Sequence, residues 1–468
     1  MKKILALILA LVMALSLVAC GKEKDPTEDW GPEPEGTIEV TIWTFFGETV
    51  KNQYQEIIDA FNASQTKYRV TCEAQGSQAE MNAKIASTDQ SELPAMFHGA
   101  VENVAMYANE DYCVPLQEFI DLEKKGTWKE LDDTWKAIRT AYQDKDGKQI
   151  GYPQGYSYPG IYYNKDMFTK AGIDATKDLK SFEDLYTISK KLVNGGYTTY
   201  GIGFHPDGFY FNAALGREGI MYYDNDNGYK GTIEHCLYTS DSTVNNAVKT
   251  MLGVYQKLHA ENLCIAYGSN YQKEIIPQLA DGSCAMMMGV VSMTTKVLTA
   301  VGDKFEVGIV PMISATNDGK RTGEPAGGTG AFICNNGNKW AQKGAYEFIK
   351  FASTADQAAK FATMTGYLAP NSDAYNSDTY KDYLTNTFPA IAAVYDSLNK
   401  SDSSANNPYI PISNEMKAAN KTAIQEAASA PNADLDTIIQ KANDKMCIRD
   451  SHHPDHRGES RGLRFLVL

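Results

Sequence analysis

The sequence predicts an α/β protein of two lobes, each with a parallel or mixed sheet flanked by helices, with a hinged cleft between them. Residues 38–72 alternate strand, helix and strand, and residues 151–163 join a Pro- and Gly-rich run to a short strand. The body, 37–445, is long enough for two domains. These three observations favour two sheets connected by strand crossings over one continuous core.

The first predicted strand has apolar residues at alternating positions, Ile38, Val40 and Ile42, as expected of a strand with one buried face. A helix with one apolar face follows, and a second alternating strand ends at Cys72. This order implies a parallel pair of strands with a right-handed crossover. Open parallel sheets bind ligands at the carboxyl ends of their strands, so Trp43 becomes a candidate ligand contact.

The stretch 151–160 contains three glycines and two prolines, which exclude a regular helix. Residues 161–163, Ile-Tyr-Tyr, form a short predicted strand, and Asn164 can cap the helix after it. We predict that the chain passes from one lobe to the other in this stretch, and the family resemblance carried by residues 162–172 implies further crossings near residues 309 and 364.

These crossings define the predicted domain boundaries. The first lobe is assigned 37–153 and 310–364, and the second lobe is assigned 154–309 and 365–445. The strand at 305–311 is expected to recross between the lobes.

The amino terminus predicts export. Residues 4–18 form an uncharged, largely apolar run after two lysines, shorter than the about 20 residues of a membrane span. Residues 1–19 therefore fit a signal peptide. Small residues before Cys20 resemble a lipobox, in which Cys20 would be acylated; an ordinary signal peptide with an incidental cysteine is the alternative. The charged, Pro-rich segment 20–36 is expected to be a disordered tether.

The carboxyl terminus departs from the rest of the chain. Residues 446–451, Met-Cys-Ile-Arg-Asp-Ser, resemble a translated sequencing-adapter end, and the remaining residues show no periodicity. We predict that 446–468 is a non-native tail; a genuine disordered tail is the alternative.

Charge and composition exclude several classes of function. The net charge of −14 argues against nucleic-acid binding, which needs a basic surface. The histidines of the body are scattered, so no metal site and no cofactor are predicted. Residues 224–228 resemble a calcium loop, but His235 stands where the bidentate Glu belongs, so a polar turn is favoured.

The cysteines and the one serine motif give no sign of catalysis. The chain has no Cys-x-x-Cys pair, and buried free thiols are favoured over disulfides in a body of this size. Gly155-x-Ser157-x resembles a nucleophile elbow, but Pro159 replaces the closing glycine. We therefore predict no enzymatic activity. A secreted lipoprotein that hydrolyses glycans is the alternative, and a product assay would identify it.

Aromatic residues suggest the type of ligand. The chain has 28 Tyr, 17 Phe and 5 Trp. Sugar rings stack on aromatic faces and hydrogen-bond to nearby polar groups. The clusters 156–158 and 204–211 are therefore assigned to a cleft, which makes Tyr158, Phe209 and Tyr210 candidates. The alternative for any one tyrosine is packing in the core.

The run from Tyr162 to Gly172, Tyr-Tyr-Asn-Lys-Asp-x-Phe-x-Lys-Ala-Gly, resembles the signature of the extracellular solute-binding proteins of ABC importers. This resemblance covers about residues 37–430. It implies a bilobed periplasmic-binding-protein fold of type II that closes on a small-molecule sugar and delivers it to the ABC permease. It also implies a monomer at the extracytoplasmic face of the membrane, held only by its lipid.

Within this family the sequence is most similar to the glycerol-3-phosphate-binding branch. Ser157 matches a ligand-contacting serine of that branch, Gly327 and Gly328 match its backbone-donor loop, and Tyr367 matches its ligand-contacting tyrosine. Two features depart from that pattern: His98 stands near the place of a ligand-contacting Glu, and the arginine that holds the phosphate is absent. A neutral sugar or oligosaccharide is thus the expected ligand, and a sensory protein for a polyol or glycerophosphate-type ligand is the alternative.

The predicted ligand contacts come from both lobes and from the crossings. They are Trp43, Phe46, Glu48, His98, Ser157, Tyr158, Phe209, Tyr210, Gly327, Gly328, Thr329 and Tyr367.

Overall fold

A computed structural model describes most of the body. The described residues are 27–123, 126–266, 271–318, 323, 326–401 and 407–446. The predicted signal peptide, Cys20 and residues 447–468 lie outside these ranges.

In the described ranges, eleven strands form two sheets, one of six strands and one of five. The strands are β1 (Ile38–Thr44), β2 (Tyr68–Ala74), β3 (Met96–Ala100), β4 (Cys113–Val114), β5 (Tyr152–Ser157), β6 (Pro159–Asn164), β7 (Tyr200–Phe204), β8 (Cys264–Ala266), β9 (Cys284–Val290), β10 (Val307–Pro311) and β11 (Gly327–Cys334).

Helices cover the faces of both sheets. The α-helices are α1 (Glu48–Ser64), α2 (Gln78–Ser87), α3 (Val104–Tyr107), α4 (Gln117–Ile120), α5 (Lys129–Asp132), α6 (Lys136–Thr140), α7 (Lys165–Lys170), α8 (Ala175–Asp178), α9 (Phe182–Asn194), α10 (Gly208–Glu218), α11 (Ser242–Ala260), α12 (Tyr271–Asp281), α13 (Thr294–Val301), α14 (Lys339–Ser353), α15 (Ala355–Thr365), α16 (Ser372–Asn376), α17 (Asp378–Asp382), α18 (Ala392–Lys400), α19 (Ser413–Ser429) and α20 (Leu435–Met446). Within the described ranges, every helix is too short or too polar to traverse a lipid bilayer.

The first sheet has the order β2-β1-β3-β11-β4, and β5 pairs with β11. Strand β1 is parallel to β2 and β3, which confirms the parallel pair expected from the sequence. Its inward residues Ile38, Val40 and Ile42 lie in one core with residues of α1 and α14. Strand β11 is antiparallel to its three neighbours, so this sheet is mixed.

The second sheet has the order β10-β6-β9-β7-β8. Strand β6 is antiparallel to β9 and β10, whereas β7 is parallel to β8 and β9. The centre of this sheet is wholly buried, as Met286, Met287 and Met288 of β9 show. The predicted bilobed α/β architecture is therefore confirmed.

The crossings lie at slightly different positions from those predicted. Strand β5 belongs to the first sheet and β6 to the second, so the chain crosses at Tyr158 and the predicted boundary at 153/154 falls inside β5. The segment 305–311, predicted to recross, holds β10, which pairs with β6 in the second sheet. The return to the first sheet comes later, between Pro311 and Gly327.

Both ends of the described chain pack against the body. Trp30, in the predicted tether, has its ring centroid 5.9 Å from that of Phe119 and 5.4 Å from that of Trp340. Met446, assigned from the sequence to the foreign tail, is 1% exposed and belongs to the core around the second sheet. The described part of the tether therefore does not extend free, and the body includes Met446.

Candidate functional site

The candidate site lies where the chain crosses between the sheets. Gly327, the first residue of β11, is the register partner of Ser157, the last residue of β5. Tyr156 forms an isolated bridge with Leu368, and the amide of Val291 donates to the carbonyl of Tyr158 at 2.9 Å. Backbone from three separate connections thus converges at this point.

A pair of hydroxyl groups joins the two sheets here. The Ser157 Oγ atom accepts a hydrogen bond from the Ser292 amide at 3.3 Å and lies 3.4 Å from the Ser292 Oγ atom. Ser157 ends a strand of the first sheet, and Ser292 lies in the turn Val291–Met293 after β9 of the second sheet. Ser292 was not among the predicted residues. Its position directly after the buried strand β9 is the sequence signal that could have found it.

Phe209 brings an aromatic ring to this junction. It is the second residue of α10 and its amide donates to the Asp207 carboxylate at 2.9 Å, which caps the helix. The ring is partly exposed, and a Cβ atom added to Gly327 would lie 3.1 Å from its Cζ atom. The glycine therefore permits the second lobe to place an aromatic edge against β11.

Gly328 and Thr329 continue β11 along β5. Gly328 has φ +93°, and a Cβ atom there would overlap the carbonyl oxygen of Gly155. The register is broken between Thr329 and Ala331 by an irregularity of the β-bulge type. Bulges change the direction of a strand and occur often beside functional sites. The close approach that Gly328 permits in this structure is to β5, a strand of its own sheet, and its contact with a ligand stays a prediction.

Tyr367 lies at the third connection between the lobes. Its ring is partly exposed and stacks on Phe361, with centroids 5.8 Å apart and an interplanar angle of 19°. It also covers Gly155, where an added Cβ atom would lie 3.2 Å from its Cε2 atom. Burial raises the pKa of Tyr367 above its ordinary value, and a hydrogen bond with Thr329 partly offsets the effect.

Two of the predicted aromatic contacts are core residues. Tyr158 is fully buried and Tyr210 is 2% exposed, and both belong to a core cluster that includes residues of both lobes. The Tyr210 ring makes an edge contact with Phe209 at 5.4 Å between centroids. Tyr158 contributes its backbone carbonyl to the junction, as described above, and its side chain packs inside.

Phe46 and His98 also lie inside the first lobe. Their ring centroids are 4.4 Å apart, and both side chains are buried. His98 Nε2 lies 3.1 Å from Gln154 Oε1, which also accepts a hydrogen bond from the Tyr54 hydroxyl at 3.0 Å. Burial lowers the pKa of His98 to about 4, and the hydrogen bond to Gln154 opposes this shift. His98 is thus a neutral core residue in the middle of β3.

The remaining predicted residues at the start of the chain lie near the end of β1 and at the start of α1. Trp43 is 6% exposed and packs in the same core cluster as Tyr158, together with Met81 and Ile85 of α2, and the Lys84 Nζ atom lies 4.2 Å from the centroid of its ring. Glu48 is the exposed first residue of α1. Within the described residues, neither side chain makes a hydrogen bond, an ion pair or a ring contact with Ser157, Phe209 or Gly327.

Polar contacts across the lobes were missed by sequence reasoning. Glu102, which follows the carboxyl end of β3, pairs with Lys417 of α19 at 2.7 Å. The Ser413 hydroxyl donates to the buried Asn103 Oδ1 atom, also at 2.7 Å. Glu102, just after β3, is therefore the polar side chain that reaches the second lobe, whereas His98 within β3 is buried in the first lobe. The partners are over three hundred positions apart in sequence, and no local pattern could have paired them.

The charges around Lys417 do not cancel. Its side chain is 20% exposed and that of Glu102 is 15% exposed. Burial would lower the pKa of Lys417, but the carboxylates of Glu102 and Asp207 raise it above its ordinary value. Two carboxylates thus face one ammonium group, and this part of the junction carries a net negative charge.

A second polar cluster lies away from the junction. Asp224, Glu234 and His235 place side-chain donor atoms within 4.8 Å of one another. The two Asp224 carboxylate oxygens accept the backbone amides of Glu234 and His235 at 3.0 and 3.1 Å. Asn225 and Asp226 have positive φ values, as in a tight turn. The Asp224 carboxylate therefore ties this tight turn to the backbone of residues 234 and 235.

Comparison with known proteins identifies relatives of the same architecture. The family model of bacterial extracellular solute-binding proteins matches residues 56–390. The sn-glycerol-3-phosphate-binding periplasmic protein UgpB of Brucella melitensis is 26% identical over 364 residues, which cover 75% of this chain and 79% of the relative. UgpB of Escherichia coli is 20% identical over 418 residues, 86% of this chain and 91% of the relative.

Solved structures show the same fold. The cyclic alpha-maltosyl-1,6-maltose binding protein of Arthrobacter globiformis has a TM-score of 0.68 at 18% identity and covers 88% of this chain and 98% of its own. UgpB of Mycobacterium tuberculosis, in complex with glycerophosphocholine, has a TM-score of 0.65 at 15% identity and covers 87% and 98%. Because the family model spans more than half of the sequence, the chain belongs to the bacterial extracellular solute-binding proteins.

Proposed function

We propose that the protein captures a neutral sugar or oligosaccharide between its lobes and delivers it to the membrane subunits of an ABC importer. The observation that carries the proposal is the junction of Ser157, Ser292 and Phe209, where hydroxyls from both lobes meet an aromatic edge. Hydroxyl groups exchange hydrogen bonds with sugar hydroxyls, and aromatic rings cover apolar sugar faces. Structural neighbours that are named for oligosaccharides support this ligand class.

The charges at the junction support a neutral ligand. Lys417 is paired with Glu102 and lies near Asp207, so an added phosphate would meet more negative than positive charge. The phosphate-holding arginine of the related branch has no counterpart in 407–411. An anion that accepted a hydrogen bond from Lys417 would share the ammonium group with Glu102 and would lie close to that carboxylate.

A glycerophosphate-type ligand is the second candidate. The curated relatives are named for sn-glycerol 3-phosphate, and a structural neighbour holds glycerophosphocholine. Lys417 is the cationic side chain next to Asn103 and Ser413 that such a ligand would use. In glycerophosphocholine the quaternary ammonium would suit the excess negative charge, whereas free glycerol 3-phosphate would not.

Closure of the lobes is the proposed mechanism. Glu102–Lys417 and Asn103–Ser413 connect residues after β3 with α19 of the other lobe, so opening must break both contacts. A ligand that touches both lobes adds interactions present only in the closed form, and therefore shifts the population toward it. The permease would read that closed form. The protein itself performs no chemistry in this cycle.

We further propose that the protein acts as a monomer at the extracytoplasmic face of the membrane, held by a lipid on Cys20. The motif before Cys20 supports this placement. The variant Cys20→Ala should move the protein from the membrane fraction to the soluble fraction. Retention in the membrane fraction would contradict the lipid anchor and leave the ligand proposal untouched.

A thermal-shift screen tests the ligand class. The panel contains neutral mono- and oligosaccharides, polyols, glycerol 3-phosphate and glycerophosphocholine. A ligand at 100 times its Kd stabilises the folded state by about 2.7 kcal/mol. We expect a neutral sugar to give the largest shift, and the variant Phe209→Ala to reduce it. The matched variant Phe351→Ala removes a partly buried ring of α14 instead and should keep the full ligand-induced shift.

Each result of the screen decides between the candidates. A shift with glycerophosphocholine and none with sugars would replace the first candidate by the second. A sugar shift of equal size in Phe209→Ala and wild type would show that the ligand binds elsewhere. Isothermal titration calorimetry of the best ligand then gives its Kd for the wild type, with which the Kd of each variant is compared.

A further inference from the structure

Two of the buried cysteines face each other across neighbouring strands. Cys113 of β4 and Cys334 of β11 are antiparallel register partners, and both are buried thiols. Cys113 is 9% exposed and Cys334 is fully buried. Burial raises the pKa of Cys113, and the neighbouring Cys334 raises it further. The two sulfur atoms therefore occupy one small apolar space on one face of the sheet.

The hydrogen bonds around these cysteines define the type of pair. The Cys334 amide donates to the Ala95 carbonyl at 3.0 Å, on the side of β11 away from β4. The Asn335 amide donates to the Tyr112 carbonyl at 2.7 Å, one position beyond the cysteines on both strands. Cys113 and Cys334 therefore form a non-hydrogen-bonded pair, in which the Cα atoms are only about 4.5 Å apart and the side chains are close.

This spacing suits a disulfide. Disulfides join residues whose Cα atoms are about 4.4–6.8 Å apart and whose Cβ atoms are about 3.5–4.5 Å apart. The Cβ atoms of directly opposed residues are about 4.5–5.5 Å apart, and in a non-hydrogen-bonded pair their distance is near the lower limit of that range. A small approach of β4 closes that gap. Strand β4 can make it, because it has two residues and lies at the edge of the sheet.

The other described cysteines are differently placed. Cys264 of β8 and Cys284 of β9 are separated by β7, which pairs with both strands. Cys72 is on β2 at the opposite edge of the first sheet from β4. Among the cysteines of the described ranges, only Cys113 and Cys334 are register partners.

We propose that Cys113 and Cys334 form a disulfide in the exported protein. Extracellular proteins fold in an oxidising compartment, where such bonds form and persist. The inference rests on the family and its compartment, and it is independent of the ligand. It replaces the expectation of free thiols for these two residues.

The chemistry is thiol–disulfide exchange with a disulfide oxidant, either a small molecule or a protein. The thiolate of one cysteine attacks a sulfur atom of the oxidant, which releases one oxidant thiol and leaves a mixed disulfide. The second thiolate attacks the protein sulfur of that intermediate and releases the second oxidant thiol. Two protein thiols and one oxidant disulfide thus become one protein disulfide and two thiols.

The bridge would join the two segments between which the second lobe is inserted. Strand β4 precedes the first crossing and β11 follows the return, so β6–β10 all lie within the closed loop. A bridge across so long a loop restricts the unfolded chain strongly. Both ends belong to the first sheet, so the bridge leaves movement between the lobes free.

Peptide mapping tests the pair directly. The full chain is secreted from an oxidising host, unfolded without reductant, alkylated with N-ethylmaleimide and digested. We expect a peptide that links Cys113 to Cys334, with Cys236 and Cys284 alkylated. The same protein refolded with glutathione disulfide should give the same linkage. Alkylation of both Cys113 and Cys334 in both preparations would overturn the proposal, as would a bridge from either residue to another cysteine.

Thermal unfolding supplies a second measurement. Reduction should lower the Tm of the wild type by at least about 3 °C. The matched variant Cys264→Ser/Cys284→Ser should respond to reduction in the same way, whereas Cys113→Ser/Cys334→Ser should not respond. An equal response in the last variant would contradict the assignment. If that variant does not fold, the linked peptide of the wild type decides the question alone.

Discussion

The predicted ligand residues separate into two regions with different physical characters. Phe46, after the end of β1, and His98, in the middle of β3, pack their rings against each other inside the first lobe. At the crossing, the Ser157 hydroxyl of the first lobe lies against Ser292 of the second lobe. The partly exposed Phe209 ring of the second lobe lies beside Gly327 of the first lobe. Both regions are rich in aromatic residues in the sequence, but only the second has partners on both sides of the cleft.

The difference follows from how the two regions are covered. Strand β3 is flanked by β1 and β11 and lies under helices, so a side chain in its middle enters the core. Strand β5 ends and strand β11 begins at the boundary between the sheets, where residues of the other lobe lie beside them. Polar side chains such as Ser157 and Glu102 are tolerated there because the other lobe or water supplies their hydrogen bonds.

The largest predicted effect is on the backbone of the crossing. Gly328→Ala adds a Cβ atom that overlaps the Gly155 carbonyl and must also keep a φ of +93°. We expect the free energy of unfolding to fall by about 4 kcal/mol. Gly147→Ala is the matched control, because Gly147 has φ +83° and open space around it; its cost should be about 1 kcal/mol. If urea unfolding gave the same loss of unfolding free energy for both variants, β5 and β11 would be able to separate at the crossing.

The second prediction concerns the core status of His98. Burial lowers its pKa to about 4, below the about 6.5 of an unfolded chain. As the pH falls from about 6.5 to 4, the unfolded chain therefore takes up this proton first. The free energy of unfolding therefore falls by about 3 kcal/mol between pH 6.5 and pH 4, because the folded protein keeps His98 neutral while the unfolded chain binds the proton.

Comparison with His98→Gln isolates this effect, because Gln does not titrate. Urea unfolding of both proteins at pH 7 and pH 4 should show a loss that is about 3 kcal/mol larger in the wild type. Identical losses would mean that His98 is accessible to water in the folded protein. In that case His98 would return to the list of candidate ligand contacts.

Local patterns predicted most of the scaffold but little of the junction. The alternation at Ile38 to Ile42 and the apolar face of α1 determined the parallel pair, because both are properties of neighbouring residues. Whether Tyr158 faces the core or the cleft depends on elements distant in sequence, so its aromatic character alone could not decide. Glu102 and Lys417 were missed for the same reason, since their pairing exists only after both lobes have folded.

The third prediction addresses the hydroxyl pair. Ser157→Ala should raise the Kd of the ligand found in the screen about tenfold, which corresponds to about 1.4 kcal/mol. The reason is that the variant removes a hydroxyl placed between the lobes. Ser314→Ala, which removes a buried hydroxyl in the second lobe, is the matched control and should leave the Kd unchanged. Titration calorimetry measures both, and equal effects would remove the hydroxyl pair from the proposed site.

The smallest predicted effect concerns Trp43, the residue that stands between the two regions. It is the next-to-last residue of β1, near the ligand-binding edge expected for parallel sheets, yet it is only 6% exposed and lies under Lys84. The exposed Lys84 ammonium group also donates to Gln75 Oε1 at 2.6 Å, which holds it over the ring. Lys84→Met keeps the length of the side chain and removes only the charge, so stability should fall by about 0.5 kcal/mol. The Kd should not change if Trp43 is only a core residue, whereas a threefold or larger change would return the end of β1 to the binding site.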